Sequence, residues 1–183
     1  MPNFHNTGNH AILLHSEVKV MATIKTNAMR ILDKAKLSYE VETYPHENEA
    51  IDGVQVAKLL NKDPQMVFKT LVTISNTKEY YVFLVPVQHE LDLKKCAQLV
   101  GRKKLDMIHV KDIQKVSGYI RGGCSPIGMK KQFHTTLHNS CLSLDNIMFS
   151  GGKIGVQIIL SVSSLIDLIH AEVGDIIKGE HSI

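Results

Sequence analysis

Residues Met66 to Ile74 and Glu79 to Val87 are two consecutive runs rich in β-branched and aromatic side chains, and only Ser75-Asn76-Thr77-Lys78 lies between them. So short a connection returns the chain antiparallel, because a parallel crossover needs about a dozen residues or more. A hairpin therefore occupies the middle of the sequence. Thr26 or Asn27 can cap a first helix, in which Ala28, Ile31, Leu32 and Ala35 recur at helical spacing. Ser38 to Tyr44 alternates as a strand that Pro45 stops, and a second helix runs from about Ile51 to Leu60. Beyond the hairpin, Leu91 to Val100, with Asp92 near its start, and Lys111 to Val116 read as short helices. A glycine-rich loop over 118–128 is followed by a strand from Gln132 to Asn139. Asn146 to Phe149 and Lys153 to Leu160 read as two more strands, joined through Gly151-Gly152. Ser161 or Ser163 can cap a last helix, ending near Gly174 or Lys178. Strict βα alternation is missing, which disfavours a doubly wound parallel sheet. The expected class is α/β with α+β character: a single domain with a mixed, curved, barrel-like sheet flanked by helices.

At 183 residues the chain can bury one sizeable core. Aromatic residues make up 5% and Trp is absent, which argues against large stacking platforms for single-stranded nucleic acid. A formal charge of +3 is too mild for coating nucleic acid through bulk charge. It is compatible with local contacts from Lys94-Lys95, Arg102-Lys103-Lys104 or Lys130-Lys131, each of which also reads as ordinary solvated surface. Cys96, Cys124 and Cys141 are odd in number and form no CxxC, so reduced thiols and a cytoplasmic setting are expected. No apolar run approaches the ~20 residues of a membrane span. Residues 1–20 are rich in His and Asn and lack periodicity, whereas Met21 opens a normal-looking start. They read as a poorly ordered extension or a misplaced start, with the domain itself over 21–183.

Three segments invite chemistry. Gly118-Tyr119-Ile120-Arg121-Gly122-Gly123-Cys124-Ser125-Pro126-Ile127-Gly128 carries paired glycines that admit positive φ and close approach of backbone amides. It is either an anion- or carbonyl-binding loop or a tight structural turn, and it lacks the Gly-Lys-Ser/Thr ending of a P-loop. Lys69 stands in the otherwise apolar run Val67-Phe68-Lys69-Thr70-Leu71-Val72. It either points into a cleft or faces outward on a half-exposed strand, since burying an unpaired ammonium is costly. Ser150-Gly151-Gly152-Lys153 places a hydroxyl beside a tight connection, at a pocket rim or in a plain turn. Cys124 raises the possibility of a thiol nucleophile, with His89, His109, His134 or His138 as base, although no cysteine-hydrolase context surrounds it. His134 and His138 on one strand would stand about 13 Å apart, too far to share an ion. No metal and no cofactor are expected.

Taken in order, these three segments resemble the YbaK/EbsC family, over essentially Met21 to Lys178. That family includes Cys-tRNA(Pro)/Cys-tRNA(Cys) deacylases, freestanding relatives of the editing domain of bacterial prolyl-tRNA synthetases. The resemblance implies an α/β fold with a cleft in which Lys69, Gly122 and Gly123 are the catalytic positions. It implies that Tyr44, Thr70, Cys124, Ser125, Pro126, Ser150, Gly151, Gly152 and Gln157 bind substrate. Gln157 is an amide where some members carry an acid. The implied reaction is removal of cysteine from Cys-tRNA(Pro), with the substrate thiol attacking its own ester. Alternatives are a water-using deacylase of Ala-tRNA(Pro) or another small aminoacyl-tRNA, and a non-enzymatic tRNA- or nucleotide-binding module. The implied partners are the aminoacyl-tRNA acceptor end and prolyl-tRNA synthetase, with no membrane.

Overall fold

The computed structural model describes residues 24–179. The proposed extension over 1–20 lies outside the described residues. Helix α1 (Asn27–Lys34) starts where Thr26 Oγ1 accepts the Met29 amide at 3.2 Å and buries Ala28, Met29 and Leu32. Strand β1 (Glu40–Thr43) follows. Helix α2 (Gly53–Leu59) is capped by Asp52, and a 3₁₀ turn (Pro64–Met66) leads into the hairpin of β2 (Phe68–Ser75) and β3 (Tyr80–Pro86). The hairpin register runs from Phe68 opposite Pro86 to Ile74 opposite Tyr80. Helix α3 (Leu93–Leu99) begins with Asp92 accepting from the amides of Lys94 and Lys95. Then come β4 (Leu105–Met107), a 3₁₀ turn (Val110–Asp112) and α4 (Ile113–Ser117). After the loop come β5 (His134–His138), β6 (Asn146–Lys153), β7 (Val156–Ser161), α5 (Val162–Ile169) and β8 (Glu172–Gly174).

The strands form two sheets. One has the order β1-β7-β6 and is antiparallel throughout. The other has the order β4-β2-β3-β5-β8, with antiparallel pairs on one side of β3 and parallel pairs on the other. Among the described residues the two sheets share one isolated parallel bridge, Val67 to Met148. The mixed, single-domain α/β class holds, and no closed barrel forms among these residues. Phe68, Val72, Val82 and Leu84 from the larger sheet pack with Ile147, Phe149, Ile158 and Leu160 from the smaller one, and Leu32 and Leu165 cover them. At roughly 25 cal/mol per Å² of apolar surface, this shared core supplies the main force holding the sheets together.

Three details correct the sequence reading. The β6–β7 turn falls at Ile154-Gly155, where Gly155 takes φ 83°. Gly151-Gly152 lie within β6, at a register shift between Ser150 and Lys153. A glycine pair signals a bulge as readily as a turn. The last helix stops at Ile169, where His170 adopts the left-handed conformation, and Gly174 belongs to β8 instead. Strands β4 and β8, three residues each, were not anticipated.

Candidate active site

A cavity of about 640 Å³ opens beside the seam between the two sheets, within the usual size of a small-molecule site. Lys69, Thr70 and Leu71 reach it from β2, Ser150 from β6, Gln157 from β7 and Tyr44 from just past β1. Ser150 and Gln157 are direct cross-strand partners. Gly122 and Cys124 enter from the loop. Of the residues expected at the site, these seven line the cavity: Tyr44, Lys69, Thr70, Gly122, Cys124, Ser150 and Gln157. The other five do not. Gly123 is pressed against the backbone of Lys153 and Ile154. Ser125 is fully buried and its Oγ accepts the Ile127 amide at 3.3 Å. Pro126 lines a separate cavity of about 210 Å³ near α1. Gly151 and Gly152 pack against Val156 and Tyr119.

Lys69 is half-buried, and Nζ donates to the Val87 carbonyl at 3.4 Å. Burial pushes its pKa down, while the charges of Asp52 and Glu90 pull it back up. Lys69 also borders a wider, more open groove of about 970 Å³, together with Leu71 and Met107, so it stands where the two meet. The Thr70 hydroxyl is buried with no partner among the described residues. Gln157 is buried, and its side-chain amide makes no hydrogen bond among the described residues.

The loop is held from within. Tyr119 donates through its hydroxyl to the Ile127 carbonyl at 2.6 Å, and Asn27 Nδ2 donates to the Gly128 carbonyl at 3.1 Å. The Gly123 amide donates to the Ile120 carbonyl at 3.0 Å, closing a turn. Gly122, at φ 82°, approaches Ala50 so closely that a Cβ would lie 2.7 Å from the Ala50 Cβ. Burial pushes the Cys124 thiol up to about 11, with Ser117 opposing. Such a thiol is almost wholly protonated at neutral pH and is a poor nucleophile. His134 pairs with Glu172 and His138 with Ser140, so neither supplies Cys124 with a base.

Several lining residues were not among those expected at the site: Asp52, Arg121, Ile108, Val110 and Ile113. A sequence signal did exist for Asp52, an N-cap residue directly ahead of an apolar helical run. The apolar wall of Ile108, Val110 and Ile113 had none, because tertiary packing alone brings it to the cavity.

The sequence profile described as "Aminoacyl-tRNA editing domain" matches residues 47–168. A protein of Enterococcus faecalis (strain ATCC 700802 / V583), described as "Putative Cys-tRNA(Pro)/Cys-tRNA(Cys) deacylase EbsC", is 40% identical over 156 residues. That match covers 85% of this chain and 95% of the relative. Two solved structures share the fold. One comes from epitope backbone grafting onto scaffold proteins, with TM-score 0.74, 23% identity, and 85% of this chain and 99% of that one covered. The other is described as "a putative trans-editing enzyme for prolyl tRNA synthetase", with TM-score 0.72, 22% identity, and 85% and 100% covered. No helix among the described residues is long and apolar enough to cross a membrane. The match over 47–168, on a fold that draws its separated motifs to one cavity, places this chain in the aminoacyl-tRNA editing domain family.

Proposed function

We propose that the chain is a cytoplasmic trans-editing deacylase that releases cysteine from mischarged Cys-tRNA(Pro), working alongside prolyl-tRNA synthetase. The observation that carries this reading is the convergence of Tyr44, Lys69, Thr70, Gly122, Cys124, Ser150 and Gln157 on one cavity. The size suits an aminoacyl group. With the acyl group in this cavity, the ester and ribose lie at Lys69 and the tRNA leaves through the more open groove.

The substrate thiol attacks its own ester carbonyl. A sulfur–carbon bond forms, the carbon–oxygen bond to the ribose breaks, and the 3′ oxygen leaves with a proton. Water afterwards opens the released thiolactone. The high pKa of the Cys124 thiol supports a reaction in which the protein supplies no nucleophile. Its contribution is then to hold thiol and carbonyl in near-attack geometry, which can be worth several kcal/mol, and to stabilise the developing oxyanion. The Gly123 amide is already engaged within the loop, whereas that of Gly122 has no partner among the described residues. Oxyanion stabilisation therefore falls to the Gly122 amide and the Lys69 ammonium.

The test is a side-by-side deacylation assay on Cys-tRNA(Pro), Ser-tRNA(Pro) and Ala-tRNA(Pro), with and without the synthetase. Turnover of the cysteinyl ester alone supports the substrate-thiol route. Equal turnover of the alanyl or seryl ester refutes it in favour of attack by water.

A further inference from the structure

Among the residues lining the cavity, the ionisable side chains of acid or base type are the basic Lys69 and Arg121 and a single carboxyl group, that of Asp52. An aminoacyl ester brings its own cation, the α-ammonium group, two bonds from the reacting carbonyl oxygen's carbon. A cavity walled only by cations would repel it, since like charges disfavour one another at close range. Asp52 is the one carboxylate in the lining and so the group whose charge offsets it.

Asp52 is exposed, and its backbone position is set through its neighbour. Gly53, the first residue of α2, has no side chain where a Cβ would run into Val87 Cγ1 and lie 2.9 Å from Val87 Cβ. The helix start is thereby pressed onto Val87, whose carbonyl accepts from Lys69 Nζ. Asp52 also stands near enough to Lys69 for its charge to pull the lysine pKa upward. Oδ1 of Asp52 accepts the Val54 amide at 2.9 Å and so caps the helix. Oδ2 has no hydrogen bond or ion pair among the described residues.

We propose that Asp52 binds the α-ammonium group of the aminoacyl ester through Oδ2, while Oδ1 keeps the helix cap. The inference rests on the deacylase reading above and adds a selectivity to it. Esters whose amino group is acylated, peptidyl esters included, lack the cation that Asp52 recognises and are rejected.

The test separates this role from capping. Asp52→Asn and Asp52→Ser both keep a side-chain oxygen that caps well, so both remove the charge and leave the helix start intact. Each variant is assayed on Cys-tRNA(Pro) and on the same tRNA carrying 3-mercapto-2-hydroxypropionate, in which a hydroxyl replaces the ammonium. Rates are normalised to the uncatalysed hydrolysis of each ester, and thermal unfolding checks the fold. The wild type is expected to prefer the amino ester by about 10- to 100-fold, the range of one charge-assisted hydrogen bond. Both variants should lose that factor on the amino ester and discriminate less than about 3-fold. Wild-type discrimination in folded variants overturns the proposal, and so does an equal loss on both esters. Failure of the wild type to cleave either ester overturns the deacylase reading itself, and the inference with it.

Discussion

Replacing Lys69 with Met separates the cost of holding a cation in the cavity from the benefit of having it there. Methionine keeps an unbranched apolar stem of similar length and removes only the ammonium. Two opposing effects then act on stability. The hydrogen bond to the Val87 carbonyl is lost, but at 3.4 Å it is long, so its net worth is at most about 1 kcal/mol. The desolvation that pushes the Lys69 pKa down is relieved. A base whose folded pKa is lowered destabilises the fold while it is protonated, and this penalty disappears as the pH rises past the unfolded value. At neutral pH the two effects largely cancel. The melting temperature of Lys69→Met should stay within about 4 °C of wild type, the shift that about 1 kcal/mol produces in a domain of this size. Activity should fall far more. Removing one charged stabiliser of a developing oxyanion costs roughly 10²- to 10³-fold. The assay pairs thermal unfolding with single-turnover deacylation of Cys-tRNA(Pro). A folded variant within 3-fold of the wild-type rate refutes the placement of Lys69 at the reaction. A melting temperature lowered by 10 °C or more refutes the stability reasoning and makes the lysine structural.

Cys124→Ser should keep a rate within about 5-fold of wild type, because the protonated thiol only lines the cavity; complete loss in a folded variant would restore it as a nucleophile. Gly122→Ala should destabilise by about 1–2 kcal/mol from its left-handed backbone alone. It should also slow deacylation, since its Cβ displaces Ala50 and with it the segment carrying Asp52. Denaturant titration and kinetics check the two effects, and an Ala variant as stable as wild type contradicts the φ of 82°. Burial holds the His138 imidazole below its ordinary range, against the opposing pull of Asp175. The unfolded chain therefore takes up its proton first, and stability declines as pH falls below about 6.5. His138→Gln should flatten the fall in melting temperature between pH 7.5 and pH 5.5, and an unchanged slope counts against this assignment.

What could be read from the sequence was local. Thr26 and Asp92 announce their helices through side-chain oxygens that satisfy the first free amides, and the Ser75–Lys78 connection fixes the hairpin by its length. What escaped was set by distant partners. Strand β4 exists because Leu105, Asp106 and Met107 find Ser75, Ile74 and Thr73 across the sheet, and three residues carry too little pattern to reveal it. Gly151-Gly152 misled for a related reason. Glycine reports that a backbone is unusual there without saying whether it turns or bulges, and only the pairing with β7 decides. At the site, the motifs located Lys69, Gly122 and Ser150, whereas Asp52 and the wall of Ile108, Val110 and Ile113 reach the cavity through tertiary packing that no short segment encodes.

Among the described residues the two sheets share one backbone bridge, Val67 to Met148, and the cavity opens beside it. Each wall is therefore answerable to its own ladder of hydrogen bonds. A side chain can be exchanged on β2 or on the β6–β7 hairpin without re-registering the opposite wall. Lys69 stands on one sheet and Ser150 and Gln157 on the other, so on the roles proposed above the two walls can vary separately. One scaffold can thereby acquire a new misacylated substrate by changing one wall while the other continues to cleave.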